Sequence, residues 1–547
     1  MVADFETTPL DDDGFTRVWA WGMADVSKTP TTTFGLTIDD FMDDVARFDS
    51  TMWFHNLNFD GGFIMDWLLR NNYELVSEYP TKGQWTVLMS YTNNLYQIQV
   101  VWPTGYTTKF QDSYKKIAMG VARVAKTFNL DEGKGDIDHT IQRPPGYEPT
   151  PEEWDYVRRD VEIMAKAMVE RLEDGSKLTS SADALAHYKK LVGSSWFKST
   201  FPVLNPDADA TVRLAYRGGF TYVNPKFQNV RCGPGHVYDV NSLYPAMMYH
   251  KPLPYGLPKL FNGEPPPVDG VTEVFVCSIT FTAQVKPGHV PTIQLKNNPR
   301  FRGAEYIEHI DDPATMMVTN VDLALMMDHY DMQILSYNGG LVFQATTGLF
   351  DEYIEYWSHV KETTTGGARE IAKLFLNSLY GKFGTNPDVT PRIPYIKDET
   401  NALGFVDGPE QTRDPVYTPI AVFVTSYGRD TTIRAAQQHY DRFMYADTDS
   451  LHLHGDEPVS LDIDPVKMGY WDHEYRFTDS IFLRAKQYGE LPDGVDEPII
   501  RIAGAPTTIT ETMSLDDMVL GRTFHGKLQR TYVPGGIVLQ PITFTLK

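Results

Sequence analysis

The residues of this 547-residue chain best suited to chemistry are carboxylates at strand-like spacing. Tyr445-Ala446-Asp447-Thr448-Asp449-Ser450 sets two acids between an aromatic and apolar run, Arg442 to Ala446, and the alternating Leu451-His452-Leu453-His454. The pattern predicts two strands meeting at a tight turn, with Thr and Ser bonding local backbone. Two acids at a hairpin tip repel unless a cation lies between them, and hard dications with oxygen ligands suit that place. A lone DTD is an ordinary surface turn, so this reading needs a third carboxylate. Val237-Tyr238-Asp239-Val240-Asn241-Ser242-Leu243-Tyr244-Pro245 supplies one, at the end of a strand that turns into a helix. There a metal could also take the Val240 carbonyl.

A second acidic group lies near the amino terminus. Asp4 and Glu6, two residues apart, face the same side of a strand. Trp19-Ala20-Trp21-Gly22 reads as the next strand, and Asp60 sits between an aromatic strand end and the helical pattern Phe63 to Leu68. Thr150-Pro151-Glu152-Glu153 predicts a helix start with Thr150 as N-cap and Glu153 closing a capping box. Tyr156 and Asp160 then share a helix face. Such a set suits two-metal phosphodiester hydrolysis, in which ions roughly 3.5–4 Å apart activate water and stabilise the leaving oxygen. Tyr156 is placed to orient that water, and Lys134, in a Gly-flanked loop, to reach a scissile phosphate. Asp4 lies so near the first residue that its strand is expected to be short and the site less rigid. Phe110-Gln111-Asp112-Ser113-Tyr114-Lys115-Lys116 mixes aromatic and basic groups. It suits a single-stranded nucleic-acid end or, equally, a helix start with a solvated lysine pair.

The elements between these groups follow from periodicity. Thr346 to Trp357 has a helical apolar pattern. Gly366-Gly367 precedes a helix expected from Ala368 to Tyr380, with Gly381 at its C′ position and Ile371, Leu374, Phe375 and Leu379 as its buried stripe. Arg369, Lys373, Asn377 and Tyr380 share another face, fit to hold a triphosphate by its charge and a base by stacking. Tyr216-Arg217-Gly218-Gly219-Phe220 offers glycines for close backbone approach, with Tyr and Arg for stacking and charge.

Bulk properties bound these readings. The length allows roughly three to four domains. Cys232 and Cys277 show no metal spacing, which points to a reducing cytosol. The first residues lack a signal-like region, and no apolar run is long enough for a bilayer. The net charge of -23 argues against plain affinity for nucleic acid. Acid-free stretches nonetheless gather cations: Arg213, Arg217, Lys226 and Arg231; Lys286, Lys296, Arg300 and Arg302; Arg522, Lys527, Arg530 and Lys547. A basic channel inside an acidic shell fits this distribution, as does chance clustering on solvated faces.

The DVNSLYP stretch at Asp239, the KLFLNSLYGKF stretch at Lys373 and the YADTDS hairpin resemble motifs A, B and C of family-B DNA polymerases. Tyr216-Arg217-Gly218-Gly219 is similar to that family's YxGG linker motif, and Lys486-Gln487-Tyr488 to its KxY primer motif. The Asp4, Glu6, Asp60, Asp160 and Tyr156 set resembles its DEDDy-type 3′–5′ exonuclease. Asn320-Val321-Asp322-Leu323, Ala345 to Phe350, Asn386 to Pro419 and Val533-Pro534-Gly535-Gly536 point within the family to protein-primed phage enzymes of the Bacillus-phage strand-displacing replicase type.

The resemblance implies an α/β multidomain fold: an RNase H-like exonuclease domain (1–180), then a right-hand polymerase. Its palm would comprise 181–250 and 418–504, the fingers 349–384 and the thumb 505–547. A first, terminal-protein insertion would occupy 251–348, and a second, for processivity and strand displacement, 385–417. It implies a DNA-directed DNA polymerase with proofreading, primed by a terminal-protein hydroxyl, monomeric, free of membranes and acting in the cytoplasm of an infected host cell. Its partners would be template-primer and single-stranded DNA, dNTPs and the terminal protein. Two Mg²⁺ ions would serve each active site, with Mn²⁺ able to substitute.

By position, Asp239, Val240 and Asp449 would bind metal with Asp447 in support. Tyr244 would underlie the sugar. Lys361, Arg369 and Lys373 would contact the triphosphate, and Asn377 and Tyr380 the incoming pair. Thr7, His55, Asn56, Phe59, Ser113 and Tyr114 would hold a frayed 3′ end. Tyr216, Gly218, Gly219, Ser242, Lys486 and Tyr488 would touch the duplex. Two rival readings are a conventional oligonucleotide-primed polymerase and a non-catalytic replication scaffold on the same fold; the intact acids speak against the latter.

Overall fold

The computed structural model describes residues 1–130, 133–295 and 306–546. Two large sheets carry the two acidic groups. The amino-terminal sheet is mixed and eight-stranded, in the order Thr32–Gly35, Val18–Ala24, Val2–Thr7, Ser50–Phe54, Thr107–Asp112, Leu95–Val101, Gln84–Met89 and Glu74–Leu75. Val2–Thr7 pairs antiparallel with Val18–Ala24 and parallel with Ser50–Phe54. The Met1 amine also donates to the Thr51 carbonyl at 2.8 Å. The strand holding Asp4 is therefore six residues long and bonded on both sides.

Helix Pro151–Glu173 begins with the full Thr150/Glu153 capping box and Pro151 in its first turn. It lies so close on the sheet that a Cβ on Gly22 would come within 2.8 Å of Val157. After Thr107–Asp112 a short helical turn, Ser113–Lys115, starts at Asp112 as expected, but the second lysine is not solvated. Lys116 is fully buried and paired with Asp183, to which Arg171 also donates at 2.7 Å. A buried ammonium with this partner is part of the packing and faces no solvent.

The second sheet is antiparallel. Its main path runs Ile499–Ile502, Gln487–Pro492, Trp471–Arg484, Gly235–Val240, Ser450–His454, Phe443–Asp447 and Thr221–Val223. Helix Thr418–Gln438, buried along most of its length, passes behind it. Helix Gly366–Phe383 outruns the expected Ala368–Tyr380 at both ends. Its buried row Ile371, Phe375, Leu379 and Phe383 continues at four-residue spacing, which carries the helix through Gly381 to a C-cap at Gly384. Leu376 takes the buried place expected of Leu374, which is only half-buried.

The region expected to be helical from Thr346 also differs. Strand Tyr330–Thr346 extends to that residue, Gly348 turns the chain at φ +84, and the helix begins at Asp351. Cross-strand pairing of Thr346 with Leu253 outweighs the local helical pattern.

Two further units flank these sheets. Leu253–Phe261, Tyr330–Thr346, Glu273–Val285 and His309–Thr319 form a four-stranded antiparallel sheet over helix Asn320–His329, with an apolar core of its own. Residues 385–417 contain two small two-stranded ladders, and Leu403 from this segment enters the amino-terminal core. The C-terminal hairpin, Thr523–Val533 with Gly536–Thr545, leans on the amino-terminal unit. Thr16 N donates to the Pro534 carbonyl at 3.0 Å, and a Cβ on Gly62 would meet Ile537 at 2.6 Å.

Candidate active sites

In the amino-terminal unit, strand Val2–Thr7 presents Asp4 and Glu6, helix Asp60–Arg70 begins with Asp60, and helix Pro151–Glu173 adds Tyr156 and Asp160. Carboxylate oxygens of Asp4, Glu6 and Asp160 lie within 4.8 Å of one another. Asp60 stands beside them, its charge felt by Glu6 and its own ionisation opposed by Asp4. Burial and mutual repulsion push Asp4 up to about 7 and raise Glu6 and Asp60 well above the ordinary range. Burial raises Asp160 too, against the pull of Lys134, whose Nζ is 3.1 Å away. One lysine cannot balance four carboxylates, and buried oxygens of Asp60 and Asp160 have no hydrogen-bond partner. Oxygen-only donors in excess negative charge fit hard divalent cations.

A cavity of about 790 Å³ opens over these acids, lined also by Thr7, Phe59 and Tyr156. Asn56 is held in the left-handed region at φ +73, its N–H donating to Asp112. Tyr114 is 39% exposed at the rim. Two expected strand contacts are turned inward. Ser113 is fully buried, its hydroxyl donating to the Phe54 carbonyl at 3.1 Å and lying 3.1 Å from His55 Nδ1. His55 Nε2 meets the Met119 carbonyl at 2.8 Å, and burial lowers this imidazole to about 4. Both side chains are engaged in the wall of the cavity, the Ser113 hydroxyl between His55 and the Phe54 carbonyl.

His139 and Arg530 line the cavity although sequence reasoning assigned neither a role in this site. His139, five positions after Lys134, places Nδ1 3.9 Å from Glu6. Arg530 of the C-terminal hairpin donates to Asn56 Oδ1 at 2.9 Å and roofs the cavity. The first was legible from its loop, whereas the second required the tertiary fold.

In the second sheet, Asp239 lies opposite Ser450, which in turn closes the hairpin opposite Asp447. Val240 N donates to the Asp449 carbonyl at 2.9 Å, and Thr448 makes the turn at φ +72. Burial, then the charge of Asp449, pushes Asp239 up to about 8; burial raises Asp449 as well. Asp239 Oδ1 is buried without a partner. Asp447 differs, being ion-paired with Lys486 and within 3.3 Å of the hydroxyls of Thr221 and Tyr445. The uncompensated pair is therefore Asp239 and Asp449, again fit for divalent cations. Asp472, opposite Asp239 across the sheet, adds a further acid that the motifs did not flag.

Facing this pair, Lys361 Nζ donates to Ser242 Oγ at 3.1 Å and Arg369 donates to the Lys361 carbonyl at 2.5 Å. Burial, then the charges of Arg369 and Lys373, lowers the Lys361 ammonium. Converging cations of this kind fit a polyanion, although Glu370 holds Lys373 at 2.7 Å. Tyr244 and Tyr380 lie with ring centroids 4.4 Å apart, and Asn377 is exposed on the same helix as Tyr380. A Cβ on Gly219 would come 2.6 Å from Thr448 and 2.8 Å from the Tyr244 hydroxyl, so only glycine fits there. Gly218 is exposed and open, while Tyr216 packs against Gly384.

Arg217 is buried, donating to the Met317 carbonyl at 2.9 Å, which removes it as a source of surface charge. Other cations of that acid-free run are tied likewise: Arg213 to Asp209, Lys226 to the Asp441 carbonyl and Arg231 to Asp479. Lys226 and Arg231 nonetheless stay exposed, Arg231 with its charge paired. Lys296, Arg300, Arg302 and Lys547 lie outside the described residues.

With both centres in view, comparison gives the class. The chain belongs to the family DNA polymerase type B, organellar and viral, whose model matches residues 139–468. It is 40% identical over its full length to the DNA polymerases of Bacillus phages Nf and phi29, covering 99% and 98% of them, and 32% identical to that of Streptococcus phage Cp-1, covering 98%. The structure of phi29 DNA polymerase complexed with primer-template DNA and incoming nucleotide substrates superimposes with a TM-score of 0.93 at 39% identity, over 100% of this chain and 99% of that one. The complex with single-stranded DNA gives 0.92 at 38%, with the same coverage. The chain is a viral, DNA-binding type-B DNA polymerase of the phi29 kind, with the α/β multidomain architecture its motifs imply. The scaffold and conventional-polymerase alternatives fit these findings less well, and the family's chemistry depends on divalent metal.

Proposed function

We propose that this polymerase extends both a DNA primer and the hydroxyl of a terminal protein, proofreads in residues 1–180 and displaces the strand ahead of it. The observation that carries the reading is the pairing of two carboxylate centres. Each is under-compensated and oxygen-only, and each stands on its own sheet. Asp239, Asp449 and the Val240 carbonyl would hold one pair of Mg²⁺ ions; Asp4, Glu6, Asp60 and Asp160 would hold the other, with Mn²⁺ as substitute. When bound, such ions lower the charge on attacking and leaving oxygens.

The chain's own groups do the rest. Lys361, Arg369 and Lys373 bind the triphosphate, Tyr380 and Asn377 meet the incoming pair, and Tyr244 underlies its sugar. Asp447 and Lys486 support the centre, and Lys486 with Tyr488 grips the primer. Tyr216, Gly218, Gly219 and Ser242 line the duplex path. In the proofreading centre Tyr156, hydrogen-bonded to Asp160, orients water. Lys134 meets the scissile phosphate, and Thr7, Asn56, Phe59 and Tyr114 guide the strand end.

We assign palm, fingers and thumb to 181–250 with 418–504, to 349–384 and to 505–547. The insertions 251–348 and 385–417 serve terminal-protein docking and strand displacement. Template-primer and single-stranded DNA, with incoming nucleotides, are named for the phi29 complexes and are the expected ligands here. The enzyme acts as a monomer in the cytoplasm of the infected host; among the described residues no helix is long and apolar enough to cross a membrane.

A primed single-stranded circle with Mg²⁺ and four dNTPs, without accessory proteins, tests the reading. Products many laps long are expected. Products ending at one lap would refute displacement, and no transfer of dNMP to purified terminal protein would refute protein priming.

A further inference from the structure

The strand that follows the hairpin acids, Ser450–His454, and the strand carrying Tyr488 are not neighbours. Trp471–Arg484 and Gly235–Val240 lie between Gln487–Pro492 and Ser450–His454. At about 4.8 Å per strand, a flat sheet would separate the outer two by about 14 Å. Yet His452 Nδ1 lies 2.7 Å from Glu490 Oε1, with the two side chains 1% and 0% exposed. The sheet curls, and this pair spans its concave face. That face is the catalytic one: Ser450 is opposite Asp239, and His452 follows two residues on.

The pair is embedded in a hydrogen-bonded chain. Ser450 Oγ lies 3.3 Å from His452 Nε2, and the Tyr475 hydroxyl donates to Glu490 Oε2 at 2.7 Å. An acceptor carboxylate at Nδ1 leaves the Nε2 lone pair toward Ser450 in the neutral ring. The edges of Tyr445, Tyr488 and Phe482 surround the imidazole, at centroid distances of 5.1, 5.3 and 5.7 Å. A parallel arm runs through Tyr445, whose hydroxyl accepts from Lys486 N at 3.0 Å and lies 3.3 Å from Asp447. Lys486 is held at φ +63, a conformation a lysine keeps only when its surroundings enforce it.

We propose that His452 and Glu490 are positioning residues of the polymerase centre: a buried clasp that fixes Lys486 and Tyr488 relative to Asp239, Asp447 and Asp449. The proposal rests on the assignment of Lys486 and Tyr488 to the primer. Without the clasp the sheet relaxes outward, and the primer end is held at the wrong distance from the acids. The hydrogen bond is what matters, so an amide at 490, which still accepts from Nδ1–H, preserves it.

The test compares His452→Leu, Glu490→Leu, Glu490→Gln and Tyr475→Phe. Primer-template KM, dNTP KM and kcat are measured for single-nucleotide addition, alongside exonuclease rate on single-stranded DNA and Tm. The leucine variants should raise primer-template KM about 10–100-fold, the range for partners that orient site ligands. They should leave dNTP KM and single-strand degradation unchanged, and so shift the balance on primer-template toward degradation. Glu490→Gln should stay within roughly twofold of wild type. Unchanged primer-template KM in the leucine variants, or a Gln variant as impaired as Leu, overturns the clasp. If a leucine variant loses Tm and single-strand degradation together, Tyr475→Phe decides: a smaller rise in primer-template KM supports the clasp and none overturns it. Lys486→Ala and Tyr488→Ala run in parallel. If they bind primer as wild type does, the primer assignment itself fails and the proposal falls with it. If they weaken binding while His452→Leu does not, the proposal alone fails.

Discussion

The two acidic centres solve the same electrostatic problem to different degrees. In the amino-terminal sheet, Asp4, Glu6, Asp60 and Asp160 share one cavity with Lys134 as the cation beside Asp160. In the second sheet, Lys486 neutralises Asp447 and leaves Asp239 and Asp449 as the uncompensated pair. The first centre thus depends on added cations for most of its charge balance, the second for part of it. A polymerase must grip a charged duplex beside its acids, which favours a lysine there. The proposed proofreading pocket would admit only a frayed end, and could stay strongly acidic until metal arrives.

Removing acids should break the comparison most sharply. Asp239→Asn should cost synthesis on the order of a thousandfold while sparing degradation of single-stranded DNA. Equal loss in both assays would show the centres to be one unit.

The next effect is on stability. Asp4, at about 7, and Asp239, at about 8, both sit above the 3.8 of an unfolded aspartate. The folded state therefore binds more protons across that window, and metal-free stability falls as pH rises from about 4 toward 8. Divalent cations bind the ionised forms and oppose the fall. The Tm gain from Mg²⁺ should be larger at pH 8, where a hundredfold excess over Kd is worth about 2–3 kcal/mol, than at pH 5. An equal gain at both values would contradict the charge account.

Lys134→Ala sharpens the contrast further. Its charge lowers Asp4, Glu6 and Asp160, so its loss raises them. The acid limb of the exonuclease pH–rate profile should move to higher pH, while that of polymerisation stays in place. The smallest effect is expected from Thr150→Ala, which removes an N-cap and should cost about 1 kcal/mol in thermal unfolding of the amino-terminal unit.

Much of both centres was legible because their chemistry is local. The i, i+2 pair Asp4 and Glu6, the i, i+4 pair Tyr156 and Asp160 and the DTD turn each express one element's geometry. The Thr150 capping box was readable for the same reason. What escaped came from packing across the fold. Lys116 and Arg217 carry charge into the interior, where Asp183 and a main-chain carbonyl meet it, and no local pattern announces such partners. Ser113 turned inward because His55 and Phe54 claim its hydroxyl. Arg530 reaches Asn56 from 474 residues away. The helix limits at Gly366 and Phe383, and the strand reaching Thr346, were set by tertiary burial and cross-strand pairing that local propensity does not contain.

The most direct test of two independent centres is a crossed experiment on one labelled primer-template with Mg²⁺. Asp449→Ala and Asp60→Ala are each assayed for extension with dNTPs and for shortening without them. The account predicts that Asp449→Ala digests the primer and fails to extend it, while Asp60→Ala extends it and fails to digest it. Extension by Asp449→Ala, or undiminished digestion by Asp60→Ala, would contradict the assignment of the centre concerned.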